Sequence, residues 1–226
     1  NFALRIGNIE LFDFLLSQPE IKIGNDVFKG CEQLSYIKLP SSITEIGKNA
    51  FSECEKLVEI EIPPSVTYIG DYAFSNCKSL VKINIPESVH NINEKTFYKC
   101  ESLVNIDLPQ SLTSIGNASF MDCKSLNEIT MPQSLQFIGN QAFENCSNLT
   151  ILKFTSSFLI SSIGSKAFNK CTSLSVMNLS SLQINEIDEY TFNDCSKLKE
   201  IEIPSSVKTI KKHSFNGCYS LDKIQL

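Results

Sequence analysis

Ala50-Phe51-Ser52-Glu53-Cys54-Glu55-Lys56-Leu57-Val58-Glu59-Ile60-Glu61-Ile62-Pro63-Pro64-Ser65-Val66-Thr67-Tyr68-Ile69-Gly70 is followed, after two further residues, by Ala73-Phe74, and the same string begins again. Nine cysteines keep this beat along the 226 residues, at intervals of 23, 23, 23, 23, 23, 25, 24 and 23. Phe stands three positions before each of them (Phe28, Phe51, Phe74, Phe97, Phe120, Phe143, Phe168, Phe192, Phe215), and Leu three positions after (Leu34, Leu57, Leu80, Leu103, Leu126, Leu149, Leu174, Leu198, Leu221). Fixed apolar positions at a period between 20 and 50 residues mark a solenoid, whose units bury against one another the faces they cannot bury alone.

Each part of the unit has its own period. Leu57 to Ile62 alternates, with Ile60 and Ile62 on one side and Glu59 and Glu61 on the other, which predicts a short half-buried strand. Pro63 ends it, having no N–H for the ladder and a fixed φ suited to a corner. Val66 and Ile69 form a second apolar pair that runs into Gly70, expected to turn the chain sharply; six of the nine copies keep this glycine, and Asn93, Asp188 and Lys211 replace it. Phe, Cys and Leu three apart predict one or two tight helical turns with an apolar inner face. Stacked coils then place Phe on Phe and Cys on Cys, and nine of them at the ~4.8 Å strand spacing make a sheet about 40 Å long.

The string Leu-x-x-Ile-x-Ile-Pro-x-Ser-Val-x-x-Ile-Gly-x-x-Ala-Phe-x-x-Cys, seen with local variation from Leu80 to Cys100, resembles the BspA-type leucine-rich repeat family over roughly residues 19–226. The resemblance implies an α/β repeat solenoid: a leucine-rich-repeat arc of about nine 23-residue coils, with a parallel strand sheet on one face and short strands, turns and 3-10 segments on the other. It also implies a bacterial or protozoan surface protein acting in adhesion to host proteins or other cells. An intracellular leucine-rich-repeat scaffold and an architectural spacer in a longer array are the alternatives. Residues 1–18 are expected to form an N-terminal cap or the remnant of an upstream repeat, and 19–226 a single solenoid domain without a C-terminal cap.

Net charge is −5 and the basic residues are scattered, so there is no basic stripe and nucleic acid is not an expected partner. No apolar run approaches the ~18 residues of a membrane span, so no direct membrane insertion is expected from this segment. The chain starts at Asn1 without Met, which leaves room for a leader or an anchor outside it. The nine cysteines share one inward register and neighbouring coils hold them parallel, about 4.8 Å apart, so free thiols are expected rather than disulfides. Without Cys-x-x-Cys a zinc site is not expected, and no cofactor is implied. Four Asn-x-Ser/Thr sequons, at Asn117, Asn145, Asn148 and Asn178, fit either compartment.

Function is sought on the outward positions of the strand sheet. The candidate protein-binding face consists of Tyr36, Lys38, Val58, Glu59, Glu61, Val81, Lys82, Val104, Asp107, Glu128, Ile151, Lys153 and Val176, read as a mixed apolar and acidic strip. Lateral pairing of Glu59 with Lys82 and of Lys38 with Glu61 is the blander expectation for its charges. Between Cys146 and Cys195 the beat falters: Thr155 and Ser180 replace the corner proline and two residues are inserted. Phe158 is expected in the core slot filled elsewhere by Val66, leaving Leu159 and Ile160 exposed. The last coil, with Leu221, Ile224 and Leu226, is a candidate self-association end for a homo-oligomer. Catalysis has little material, since His90 and His213 stand in different coils and the cysteines face inward. The expected activity is therefore a non-enzymatic one, with a protein ligand as partner.

Overall fold

The computed structural model describes residues 21–154 and 159–225; the expected N-terminal cap, Phe158 and Leu226 lie outside them. Each coil contributes one strand to each of two series. The longer strands are Tyr36–Lys38, Glu59–Glu61, Lys82–Asn84, Asn105–Asp107, Glu128–Met131, Ile151–Phe154, Val176–Asn178, Glu200–Glu202 and Lys223–Gln225. The shorter are Lys22–Ile23, Glu45–Ile46, Tyr68–Ile69, Asn91–Ile92, Ser114–Ile115, Phe137–Ile138, Ser162–Ile163, Glu186–Ile187 and Thr209–Ile210. All pairings are parallel and join like positions of successive coils, as in Ile37↔Ile60 and Ile46↔Ile69. The first six long strands form one sheet and the last three another. Between the two series runs a core of Ile, Leu, Val, Met, Phe and Cys side chains.

The third edge of each coil, from Phe to Cys, differs from the sequence reading. The described residues contain no helix, α or 3-10, so the fold is a parallel β-solenoid rather than an α/β one. The cause lies in the backbone. Two residues per coil adopt left-handed φ: one lies two positions before Phe (Asn49, φ 53°) and one lies immediately before Cys (Glu53, φ 63°). A left-handed residue every few positions interrupts any helix. Hydrogen bonding then alternates along the corner. The N–H groups of Ala50, Ser52 and Cys54 close local turns onto Gly47, Asn49 and Phe51, while those of Asn49, Phe51 and Glu53 donate to Asp71, Ala73 and Ser75 of the next coil. A helix would have used all six within the coil; here half of them tie coils together.

Along this corner the phenylalanine rings stack in one column from Phe28 to Phe215, with centroids 4.9–5.7 Å apart and planes within 15° of parallel. The cysteines do more than fill space. The thiol of Cys54 donates to the carbonyl of Phe28 in the preceding coil at 3.2 Å, and every later cysteine repeats the bond, down to Cys218 on Phe192 at 3.1 Å. A methyl or isopropyl group at this position would leave that bond unmade. At the proline corner, the serine two residues on ties coils in a similar way. Ser88 donates to the carbonyls of Pro64 and Val66 of the coil before, and Ser134 to those of Gln110 and Leu112. Ser180 replaces the corner proline, and there the bonds are local to the coil, the Asn178 side-chain oxygen accepting from the Ser180 N–H at 2.9 Å and from its hydroxyl at 2.7 Å.

The recurring glycine has a different cause from the one expected. The φ of Gly70 is not in the left-handed region; what requires glycine is close approach, because a Cβ there would sit 2.6 Å from the Lys48 nitrogen and 2.8 Å from the Gly47 carbonyl carbon. The gap is that narrow because the Gly70 N–H donates to the Ile46 carbonyl at 2.8 Å. Gly70→Ala should therefore cost about 1–3 kcal/mol, as inserted methyl groups do in packed interiors. Urea denaturation measures it, and a loss below ~0.5 kcal/mol would mean that the coils separate freely at this point.

The insertion also resolves differently. Ile160, expected to be exposed, takes the slot of Val66: it is 0% exposed, whereas Leu159 beside it is 55% exposed as expected. Counting back from glycine shows why, since Ile160 precedes Gly164 by the same four residues that separate Val66 from Gly70.

Candidate functional site

The long-strand sheet presents its outward residues in two charged or polar columns, with an apolar row beside them. In register across the sheet run Tyr36, Glu59, Lys82, Asn105, Glu128 and Ile151, and next to them Lys38 and Glu61, then Asn84 and Asp107, then Thr130 and Lys153. Parallel pairing at a period of two places all of these on the face away from the core, because Ile37, Ile60, Ile83, Ile106 and Ile129 between them point inward. Val58, Val81 and Val104 form the apolar row, fixed coil to coil by the Val81 N–H on the Val58 carbonyl and the Val104 N–H on the Val81 carbonyl. Tyr36, the three valines, Ile151 and Val176 are all 38–59% exposed, which makes this the face with the largest open apolar content among the described residues.

The charges do not pair as expected. Glu59 lies opposite Lys82 and Lys38 opposite Glu61 in register, yet neither couple closes into an ion pair. Instead Glu128 is held by Lys153, and Glu200 by Lys223. Among the described residues, Glu59, Glu61 and Lys82 thus keep their charge for solvent, and with Tyr36, Asn84 and the edges of Ile60 and Ile83 they line a shallow depression of about 250 Å³. Asp107 stands on the same face, one coil beyond Asn84. Val176, in register with Glu200, belongs to the second sheet.

Other sequence candidates are placed less favourably. Leu221 is half-buried and Ile224 exposed in the last described coil. His90 has its Nδ1 3.1 Å from the Ser111 carbonyl, and His213 packs against the Tyr190 ring, so neither imidazole is set against a thiol. No disulfide joins any of the nine cysteines among the described residues, and Cys218 alone of them is more than marginally open to solvent. Burial holds these thiols protonated, with neighbouring cysteines adding to the effect: Cys54 is pushed up from 9.0 to about 12, and Cys77, Cys100, Cys146 and Cys195 rise well above their usual range. Among the described residues no group of three or more His, Cys, Asp or Glu side chains converges as metal ligands would, and no helix is long and apolar enough to cross a membrane.

The sequence reading reaches the strand face but misses the outer ladder beside it. There Lys78 reaches Glu55 at 2.7 Å and Lys124 reaches Glu101 at 3.2 Å, one coil apart in each case. A Glu-Lys-Glu-Lys alternation at the position after each cysteine, from Glu55 to Lys124, is the signal that reveals it.

No curated protein is significantly similar to the chain. Among solved structures, the leucine-rich repeat protein TpLRR of T. pallidum is 29% identical, with 89% of this chain and 82% of that one covered and a TM-score of 0.63. A leucine-rich repeat protein from Bacteroides ovatus is 27% identical over 90% of this chain and 69% of its own, at a TM-score of 0.45. A leucine rich cell surface protein from Faecalibacterium prausnitzii is 24% identical over 90% and 82%, at 0.47. Six copies of the repeat described as the BspA type leucine rich repeat region match residues 21–150 and 113–226. The coils, their beat and this match agree, and the chain belongs to the BspA-type leucine-rich repeat family.

Proposed function

We propose that the chain is a non-enzymatic protein-binding module, displayed at a cell surface, whose contact face is the long-strand sheet. Repeat proteins of this kind are in general interaction modules, because their stacked coils present an extended face made of side chains that the core does not use. The observation that carries the reading is the juxtaposition on one sheet of an exposed apolar row, Val58, Val81 and Val104, with Glu59, Glu61 and Lys82, charged groups without an ion pair among the described residues. Apolar area supplies affinity, and uncommitted charge supplies selectivity and steering. By contrast the short-strand series exposes Tyr68, Phe137 and Ile210 in separate coils. A non-catalytic role is supported by the inward setting of the cysteines, whose thiols burial keeps protonated. Display at a surface rests on family membership.

Photo-crosslinking from position 81 identifies the partner, and its affinity is then measured for a chain carrying Glu59→Lys, Glu61→Lys and Asp107→Lys together. All three side chains are exposed, so the fold should hold. Binding is expected to weaken at least about tenfold, or ~1.4 kcal/mol. Unchanged affinity with an unchanged melting temperature would move the contact off this face.

A further inference from the structure

Three sets of contacts join each coil to the next: the long-strand ladder, the short-strand ladder and the Phe corner. They are not interrupted together. The short-strand ladder parts between Tyr68–Ile69 and Asn91–Ile92, where the long-strand sheet runs on unbroken. It parts again between Ser162–Ile163 and Glu186–Ile187, and at this junction the long-strand ladder stops as well, between Ile151–Phe154 and Val176–Asn178. Both short-ladder breaks fall where glycine has been replaced, by Asn93 and by Asp188. A Cβ at the corresponding glycines, from Gly47 to Gly164, would lie 2.5–2.8 Å from the nearest atom of the coil beneath, so a residue that has one must stand off. At Asn93 the side-chain amide fills in, donating to the Ile69 carbonyl at 2.6 Å. Replacement alone does not part the ladder, since Lys211 keeps its N–H on the Ile187 carbonyl at 2.9 Å. The junction before Val176 is distinguished by losing both ladders at once.

The Phe corner crosses that junction intact. Lys166, Phe168 and Lys170 donate their N–H groups to Glu189, Thr191 and Asn193 at 3.0, 2.9 and 2.8 Å. The Cys195 thiol reaches the Phe168 carbonyl at 3.2 Å, the Phe168 and Phe192 rings stack at 5.6 Å, and the buried amides of Asn193 and Asn169 bond at 2.8 Å. Away from the corner, among the described residues, one backbone bond survives ahead of the short strands, from the Gln183 N–H to the Ile160 carbonyl at 3.0 Å, and one side-chain bond precedes the long strands, from the Thr172 hydroxyl to the Ser147 carbonyl at 3.2 Å. On the long-strand side the core thins: Leu152 and Phe154 are half-buried where their counterparts Ile129 and Met131 are fully enclosed, and Ile151 and Val176 stand exposed on either side of the break.

Two bodies joined along one edge, with both strand ladders parted, have one easy motion. We propose that the solenoid is hinged at this junction: residues 21–154 with 159–170 and residues 174–225 form two stiff arms that pivot about the Phe corner, opening and closing the strand face between Ile151 and Val176. A partner lying across both arms would select one hinge angle, and one confined to the first sheet would leave the angle free.

Spin-label distance distributions test this in a Cys218→Ala background, in which the remaining native thiols are buried and do not label. Three pairs, each four coils or about 19 Å apart, are compared: Glu59→Cys with Ile151→Cys inside the first sheet, Lys82→Cys with Val176→Cys across the break, and Ser102→Cys with Lys197→Cys across the junction beside the corner. The 82/176 distribution is expected to be at least twice as wide as the 59/151 one, with 102/197 as narrow as 59/151. Equal widths for the two strand-face pairs, or a corner pair as broad as 82/176, overturns the hinge.

Discussion

Raising the pH from 8 to 10 is expected to unfold the protein. Seven thiols, those of Cys54, Cys77, Cys100, Cys123, Cys146, Cys171 and Cys195, are buried and have their ionisation pushed above the ordinary 9.0, first by loss of solvent. Below pH 9 both folded and unfolded chains keep these protons, so the stabilisation is fully present. Above it the unfolded chain ionises while the folded one does not, and stability falls until pH reaches the folded values, about 12 for Cys54. One pH unit past the ordinary value corresponds to roughly 1–2 kcal/mol for each thiol, or on the order of 10 kcal/mol for all of them, against a usual total of about 5–15 kcal/mol. Far-UV circular dichroism against pH, under reductant and with return to pH 8 as the control, follows the transition. A urea midpoint that is the same at pH 8 and pH 10 would show that the thiols are not held in the core.

Phe97→Ala should be the most damaging single truncation. The ring is fully buried, stacked 5.7 Å from Phe74 on one side and 5.3 Å from Phe120 on the other. Its backbone is pinned as well, the Phe97 N–H donating to the Ser119 carbonyl and the Phe97 carbonyl accepting from the Cys123 thiol, so the coils cannot close over the gap. The transfer and cavity terms together predict a loss of about 3–5 kcal/mol in equilibrium denaturation. A loss under ~1 kcal/mol would mean that the column repacks. Phe215, half-buried in the last described coil, should cost less when truncated.

Much of the fold is legible in the chain because the beat of Phe, Cys and Leu fixes register, and register fixes which side chains meet. The strands at Glu59–Glu61 and its equivalents follow from alternation, and the outward face follows from them. The corner between Phe and Cys is not legible in the same way, because spacing by three is common to a helical turn and to a run of separate tight turns. Left-handed backbone at Glu53, Lys99 or Asp122 carries no glycine to announce it. The cysteine column reads as plain packing, since the acceptor that explains it, a phenylalanine carbonyl one coil back, is a backbone atom that sequence does not mark. The strand-face charges show the opposite limit: register brings Glu59 beside Lys82, but the ends of long side chains have enough freedom that adjacency does not decide pairing. Ile160 is placed correctly by counting back from Gly164 rather than forward from the corner position, where Thr155 stands in place of proline.

The identity of contacts from coil to coil has a consequence for how such a gene changes. Removing the codons for residues 73–95 would bring Thr96-Phe97 directly after Tyr72, so that Phe97 stacks on Phe51 and the Cys100 thiol faces the Phe51 carbonyl that Cys77 now occupies. No contact of a new kind arises. Recombination between misaligned copies can therefore shorten or lengthen the array by whole coils without a folding penalty at the joint, whereas a loss of any other length shifts Phe against Cys and is selected against; the two-residue gain near Leu159 survives because it falls between the strands, away from the corner.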